Sequence, residues 1–249
     1  MILKEVSLGA VSLSTGKPKV AVTLAARQRE TLIGQAAQVL TSPAQIVTWR
    51  LNDYQELDNR AELINTAAQL KRVLGTIPII ATVALTATAS TTEIETAYQA
   101  YQTLINNRAV AAVSIDMVMV QQASFTTLAA QIRAQGIKLI LRTACSANQE
   151  QIVAAYEALA AAGADVATVT VAGQSASAIV TLMAATTQAH QNLSLPLVAT
   201  AHGTLGRFNS VCGQLTGSAI VYGRVGRVGD QSLLPVSQLQ RALQILQEG

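Results

Sequence analysis

Eight short apolar runs alternate along this chain with longer segments of helical period, and this alternation constrains the fold more than any other feature of the sequence. The short runs are typical of β-strands, whereas the longer segments are rich in Ala, Gln, Glu and Leu and indicate helices. The predicted strands span residues 19–24, 46–50, 79–83, 112–116, 138–141, 166–171, 197–200 and 219–222. The predicted helices span residues 58–73, 91–106, 125–135, 149–162, 175–188, 205–215 and 235–247.

Repeated βα units of this kind predict an α/β protein with a parallel sheet. Several of the runs are apolar along their whole length, as expected of parallel strands that are covered on both faces. Eight such units in 249 residues predict a (β/α)8 TIM barrel. The alternative is an open doubly wound sheet, but Ala25-Ala26-Arg27 follows the first strand where that fold has GxGxxG. The segment before Lys19, with a turn over residues 14–18, is expected to form a short N-terminal hairpin that closes the bottom of the barrel.

The composition favours a single domain over residues 1–249. Hydrophobic residues make up 50% of the chain and charged residues 12%, so the chain can bury a large core and is too apolar to be disordered. No linker rich in Pro, Gly or Ser interrupts the alternation. The formal charge of +3 is scattered along the chain and aromatic residues make up only 3%, which argues against a nucleic-acid partner.

The N-terminus does not have the pattern of a signal peptide, and no apolar run approaches the roughly 18 residues of a membrane-spanning helix. Cys145 and Cys212 lie neither in a CxxC pair nor beside a histidine. This usage fits a reducing compartment and argues against a structural zinc site. The sequence therefore predicts a cytoplasmic protein with no metal, no cofactor and no membrane partner.

The C-terminal ends of the strands, with the loops that follow them, carry the chemistry of (β/α)8 barrels. Threonine is frequent at these positions, which either predicts a neutral, hydroxyl-lined cavity or reflects only the preference of threonine for strands. The threonines concerned are Thr23, Thr48, Thr82, Thr168 and Thr200. The ionisable residues at or just after strand ends are Arg50, Asp116, Arg142, His202, Arg224 and Arg227.

Five short motifs, in order along the eight predicted strands, resemble one known family. They are Thr15-Gly16-Lys17-Pro18-Lys19-Val20, Trp49-Arg50, Ile115-Asp116, the pair Gly206 and Gly213, and Gly217-Ser218-Ala219 before Tyr222-Gly223. The first is similar to a TGxPKI entry into strand one and the second to an E-W-R-x-D strand. Over nearly its whole length the chain therefore resembles type I 3-dehydroquinate dehydratase. The resemblance implies a homodimeric, cofactor-free lyase of the shikimate pathway of aromatic amino acid biosynthesis that acts through a lysine Schiff base.

The same resemblance implies catalytic residues that this sequence lacks. The Schiff-base lysine corresponds to Thr168 and the general acid–base histidine to Ala144, and no lysine occurs from Ile140 to the C-terminus. The family's substrate-binding residues are also replaced, by Thr48, Ala84, Thr88 and Ser210. Gly229-Asp230-Gln231-Ser232 stands in place of an S-x-P-G-Q loop, which leaves Gln231 near the glutamine position. Arg50 alone is retained.

Arg50 ends an apolar strand, and a guanidinium in a partly desolvated site needs an anionic partner. Three interpretations remain open: an internal pair with Asp116, bidentate binding of a ligand carboxylate or phosphate together with Arg142, or extension of the side chain into solvent. Arg142 itself is either a ligand contact or a solvated loop residue.

The remaining candidates have equally plain alternatives. Arg224 and Arg227 lie in a glycine-containing loop where barrels often bind phosphate, but a mobile surface loop has the same pattern. His202 is a possible proton carrier, although no carboxylate lies near it in sequence.

Two functional hypotheses follow. The first is a catalytically degenerate member of the family that binds a small anionic ligand. The second is an active enzyme, either a 3-dehydroquinate dehydratase or a lyase with altered chemistry at the same barrel mouth, that uses Arg50, Arg142, Asp116 and His202.

Overall fold

The computed structural model describes residues 4–15 and 17–247, and its ten strands comprise a short hairpin and an eight-stranded sheet. The hairpin strands are β1 (Ser7–Leu8) and β2 (Val11–Ser12). The sheet strands are β3 (Lys19–Leu24), β4 (Ile46–Arg50), β5 (Ile79–Thr82), β6 (Ala112–Asp116), β7 (Lys138–Ala144), β8 (Val166–Ala172), β9 (Leu197–His202) and β10 (Ile220–Gly223).

Helices follow the strands in alternation, as the pattern of the sequence predicts. They are α1 (Arg29–Val39), α2 (Arg60–Leu74), α3 (Thr91–Asn106), α4 (Met117–Val120), α5 (Phe125–Ala134), α6 (Gln149–Ala161), α7 (Ala176–Asn192), α8 (Gly206–Val211), α9 (Gly213–Thr216) and α10 (Val236–Ile245). Within the described part of the chain, no helix is long and apolar enough to cross a membrane.

The eight sheet strands are parallel, follow one another in chain order, and form a nearly closed (β/α)8 barrel. β10 pairs with β3, and β9 approaches β10 through a bridge between Leu197 and Ser218 and a 2.7 Å hydrogen bond from Ala219 N to Leu197 O. The predicted barrel is therefore confirmed, and the open doubly wound alternative is wrong.

Side chains on the helices' side of the barrel form the larger apolar core. Trp49 is fully buried there and packs edge-on against Tyr54, with ring centroids 5.8 Å apart. Successive strand residues face opposite sides of the sheet. Trp49 faces the helices, so Arg50 faces the mouth of the barrel. The apolar pattern of β4 thus ends in an inward-facing charge.

The inside of the barrel is filled at its lower end by a second, smaller apolar cluster. Each barrel strand contributes one residue to it: Ala21, Ile46, Ile80, Ala112, Ile140, Val166, Val198 and Ile220. Val6, Leu8 and Leu13 of the hairpin segment are buried against this layer, which confirms the predicted closure of the bottom. The hairpin between β1 and β2 turns at Gly9, where φ is +55°, which is earlier in the chain than the predicted turn. Gly16 of that predicted turn lies outside the described residues.

Helix starts coincide with side-chain caps that the sequence makes visible. Asn59, Ser90, Asn148 and Ser175 each accept a hydrogen bond from the backbone N–H three residues later, at the starts of α2, α3, α6 and α7. α1 was not predicted. Its first residue follows Gln28, whose side chain makes no cap hydrogen bond, so no start signal marks it.

The predicted helix over residues 205–215 is two short helices, α8 and α9, separated at Cys212. Four strands also end later than predicted. β7 continues to Ala144, β8 to Ala172, β9 to His202 and β10 to Gly223, because each still pairs with a neighbouring strand beyond its predicted end. Arg142 therefore belongs to a strand, and its interpretation as a solvated loop residue is wrong.

Candidate functional site

A cavity of about 970 Å³ opens at the C-terminal ends of the barrel strands, where the sequence predicts the site. All eight barrel strands contribute to its lining, and the loop after β10 contributes Arg227, Gly229, Asp230 and Leu233. Ligand pockets typically enclose roughly 300–1,000 Å³, so this cavity has room for a small metabolite.

The floor of the cavity is a layer of hydroxyl groups directly above the apolar cluster that fills the barrel. Two residues beyond the apolar residue of each strand, seven of the eight strands present a hydroxyl: Thr23, Thr48, Thr82, Ser114, Thr168, Thr200 and Tyr222. We call these seven residues the hydroxyl belt. The strand-end threonines of the sequence are thus brought together in one layer, and Ser114, which was not predicted, joins them by the same two-residue period.

The eighth strand, β7, presents Arg142 at the level of the hydroxyl belt. Arg142 Nε donates to Asp116 Oδ1 at 2.9 Å, and its Nη1 donates to Thr82 Oγ1 at 3.2 Å. Asp116 Oδ2 accepts from the backbone N–H of Leu85 at 2.8 Å. The Asp116 side chain is 10% exposed and that of Arg142 28%. The charge in the interior of the barrel is therefore paired and held by contacts from three strands.

Arg50 does not form the predicted pair with Asp116. Its Nη2 lies 2.8 Å from Asp53 Oδ2, and both side chains are about half exposed, at 47% and 48%. Asp116 is engaged instead by Arg142, whose strand is hydrogen-bonded to β6, with Arg142 in direct register with Asp116. Asp53 was overlooked as a partner, although its position three residues after Arg50 was a visible signal.

Thr168 and Ala144, which the family resemblance places at the catalytic positions, both line the cavity. Thr168 belongs to the hydroxyl belt and Ala144 lies at the end of β7. The chain's lysines are Lys4, Lys17, Lys19, Lys71 and Lys138, and none of them is among the residues that line the cavity. Lys19 and Lys138 begin β3 and β7, at the opposite end of the barrel.

The other candidate residues are divided between the cavity and the outer loop. His202 and Arg227 are exposed and line the cavity. Arg224 and Gln231 are not among the residues that line it. Arg224 donates to the carbonyl oxygens of Leu233 and Gly226, so its guanidinium holds the loop after β10 in shape. The Gln231 side chain turns back to Gly229 O.

Of the four residues that the resemblance places at substrate-binding positions, Thr48, Ala84 and Ser210 line the cavity, and Thr88 does not. With three arginines (Arg50, Arg142, Arg227) and two aspartates (Asp116, Asp230) in its lining, the cavity is close to electrically neutral.

Burial raises the pKa of Tyr222, and the hydrogen bond with Thr48 and the charge of Arg142 only partly oppose that shift. The phenol therefore remains protonated at neutral pH. Its oxygen lies 3.4 Å from Thr48 Oγ1. Burial likewise raises the pKa of the Cys145 thiol beside the rim, so this cysteine is not activated as a nucleophile.

Comparison with known proteins gives a consistent result. A family model described as type I 3-dehydroquinase matches residues 20–249. The 3-dehydroquinate dehydratase of Enterococcus faecalis is 26% identical over 255 residues, which cover 99% of each chain, and its solved structure superposes with a TM-score of 0.82 over 98% of both chains. The corresponding Klebsiella pneumoniae protein is 24% identical over 95% of this chain and 96% of that one. A structure from Clostridium difficile has a TM-score of 0.90 at 18% identity, over 99% of both chains.

Proposed function

The chain belongs to the type I 3-dehydroquinase family, and we propose that it is a catalytically degenerate member whose barrel mouth binds a small anionic ligand. The observation that carries this proposal is the composition of the cavity lining, which contains no lysine and includes Thr168, the residue that the family resemblance places at the Schiff-base position.

An imine requires a primary amine, and a threonine hydroxyl cannot form a protonated Schiff base with a ketone. Covalent catalysis by an amine divides one difficult step into two easier ones, and this route is closed without the lysine. A positioned general acid–base group contributes roughly 10²- to 10⁴-fold, and Ala144 cannot supply it. The rate losses from removing residues of one catalytic unit do not add. The loss of the amine alone is therefore sufficient for the proposal.

The anionic nature of the ligand is supported by the rim of the cavity. Arg227 is exposed there and makes no ion pair among the described residues. Arg50 is half exposed, and its pair with Asp53 is accessible to solvent and weak. His202 lies on the same rim. A ligand with one negative group would meet these side chains as it enters.

The second candidate function is an active enzyme, either a dehydratase or a lyase with altered chemistry at the same mouth. The observation in its favour is that Arg142 and Asp116 form a partly buried ion pair within the cavity, where ionisable groups often take part in chemistry. Arg50 and His202 would then serve as further polar groups at the rim.

Borohydride trapping separates the two candidates. We expect no change in intact mass when the protein is incubated with 3-dehydroquinate and sodium borohydride, and no formation of the dehydrated product. The Enterococcus faecalis relative is the positive control. An adduct on any lysine, or turnover comparable to that of the relative, would overturn the proposal. A Thr168→Lys, Ala144→His variant tests whether the cavity still accepts the substrate, since adduct formation in this variant alone would assign the defect to those two positions.

The proposal includes a homodimer in the cytoplasm, as membership of the family suggests, with a small metabolite and neither nucleic acid nor membrane as partner. Light scattering coupled to size-exclusion chromatography tests the dimer directly. A monomer over the whole accessible concentration range would contradict it.

A further inference from the structure

Three hydroxyl groups of the hydroxyl belt face the cavity without a hydrogen-bond partner among residues 4–15 and 17–247. They belong to Thr23, Ser114 and Thr168, on β3, β6 and β8. Ser114 is 8% exposed as a residue. All three residues line the cavity, so a ligand that enters it can form hydrogen bonds with each of their hydroxyl groups. They surround the space from three sides and therefore favour a ligand with several hydroxyl groups of its own.

The charge at the level of the hydroxyl belt is already balanced. Arg142 is in register with Thr168 on β8 and is paired with Asp116 at 2.9 Å. Because Arg142 and Asp116 neutralise each other, no net positive charge remains at this depth to offset the cost of desolvating a ligand carboxylate. An uncharged ligand avoids that cost. A charged group is better accommodated at the rim, where Arg227 lies.

The Arg142–Asp116 pair also offers a donor and an acceptor side by side. The Nη2 group of Arg142 has no partner among the described residues, and a carboxylate has about four lone-pair sites, of which Asp116 uses two. A hydroxyl group both donates and accepts. Two adjacent hydroxyl groups of a ligand can therefore bond to Arg142 and Asp116 at once, whereas a carbonyl group has no donor for Asp116.

We propose that the hydroxyl belt is a binding site for an uncharged polyhydroxylated group, of the chemical class of the sugar alcohols. Any anionic group of the same ligand then lies at the rim and not in the belt. The inference rests on the proposed function in one respect, since it requires that the cavity hold its ligand without a covalent imine link to the protein.

Isothermal titration of the full-length chain with sorbitol, mannitol and myo-inositol tests this site. Titration is preferred to thermal shift because polyols also stabilise proteins non-specifically. Two control compounds are titrated as well. Gluconate has a carboxylate at one end in place of a hydroxymethyl group of sorbitol, and 1,6-hexanediol lacks the inner hydroxyl groups. We expect saturable binding of at least one polyol and none of hexanediol.

Two substitutions then locate the binding. Ser114→Ala and Thr168→Val each remove one hydroxyl with little change in volume, and each should weaken the polyol about three- to tenfold. Thr92→Val, at an exposed position of α3 outside the cavity, is the matched control and should change nothing. Thr23→Val replaces either variant if one fails to fold by circular dichroism.

The outcomes distinguish this inference from the proposed function. Binding of gluconate without any binding of the three polyols would overturn the belt site and leave an anion site at the rim. Polyol binding that is unchanged in both hydroxyl variants would also overturn it. Polyol binding together with a borohydride adduct would overturn the degenerate-enzyme proposal and the imine-free premise of this inference. Weakened polyol binding in both variants, with no adduct, supports both.

Discussion

Two arginine–aspartate pairs of nearly equal length allow the effect of burial to be measured within one protein. Arg142 and Asp116 are 2.9 Å apart, with side chains 28% and 10% exposed. Arg50 and Asp53 are 2.8 Å apart, with side chains 47% and 48% exposed. The perturbation is Asp116→Ala, with Asp53→Ala as its control.

Asp116→Ala should lower the free energy of unfolding by about 3 kcal/mol. Removing one partner of a buried pair typically costs about 3–5 kcal/mol, because the remaining charge is left uncompensated. The low end of this range applies here because the Arg142 side chain is 28% exposed and can be partly solvated through the cavity. The variant also leaves the Leu85 N–H without its acceptor. For a chain of this size the loss corresponds to a fall in melting temperature of about 6–12 °C.

Asp53→Ala should cost less than about 1 kcal/mol, as is typical of exposed ion pairs. Urea unfolding followed by circular dichroism measures both variants. Double-mutant cycles with Arg142→Ala and Arg50→Ala then isolate each pairwise term. We expect a coupling of about 2 kcal/mol for the inner pair and below about 0.5 kcal/mol for the outer one. Equal couplings, or a larger cost for Asp53→Ala than for Asp116→Ala, would refute this account of the cavity.

Three further predictions concern the scaffold. Gly206→Ala should destabilise by about 3 kcal/mol in urea unfolding, since its Cβ would lie 2.1 Å from Ala201 O, whereas Gly34→Ala, which meets nothing within 4 Å in α1, should stabilise by about 0.5–1 kcal/mol. Leu8→Ala should cost about 2–5 kcal/mol if the hairpin closes the barrel, and a cost under about 1 kcal/mol would contradict that closure. Burial raises the pKa of Tyr156 in the folded protein. The contribution of this proton linkage to the free energy of unfolding is therefore fully present below about pH 10 and is lost as the pH rises further. Tyr156→Phe should make the decline of stability at alkaline pH shallower, and an unchanged pH profile would count against this assignment.

Much of the barrel was predictable because its pattern is local. Strands β3, β4 and β6 and helix α3 begin and end where the apolar periods do. Helix α1 was missed because neither a side-chain cap nor a strong apolar period marks it. β7 was predicted too short because its last residues include a polar Arg142, whose place in the strand depends on pairing with β6 and β8.

Ion-pair partners were less predictable than strand positions. The expected Arg50–Asp116 pair depends on which strand ends meet across the rim, which the sequence does not specify, and Asp116 pairs instead with Arg142 of the neighbouring strand. Spacing along the sequence is sufficient to predict an ion pair only for Arg50 and Asp53, which are three residues apart. The hydroxyl belt lies between these cases, because alternation within each strand indicates its members and only the barrel shows that they share one layer.

The linear sequence by itself determined the eight βα units, the membership of the family and the threonine at position 168, because periodicity, motif order and residue identity are all properties of the chain in order. Only the tertiary structure decided which charges neutralise one another and which hydroxyl groups remain without partners. The physical reason is distance along the chain: Arg142 donates to Asp116 and to Thr82, which are 26 and 60 residues away in sequence, and the pairing of β5, β6 and β7 brings all three together.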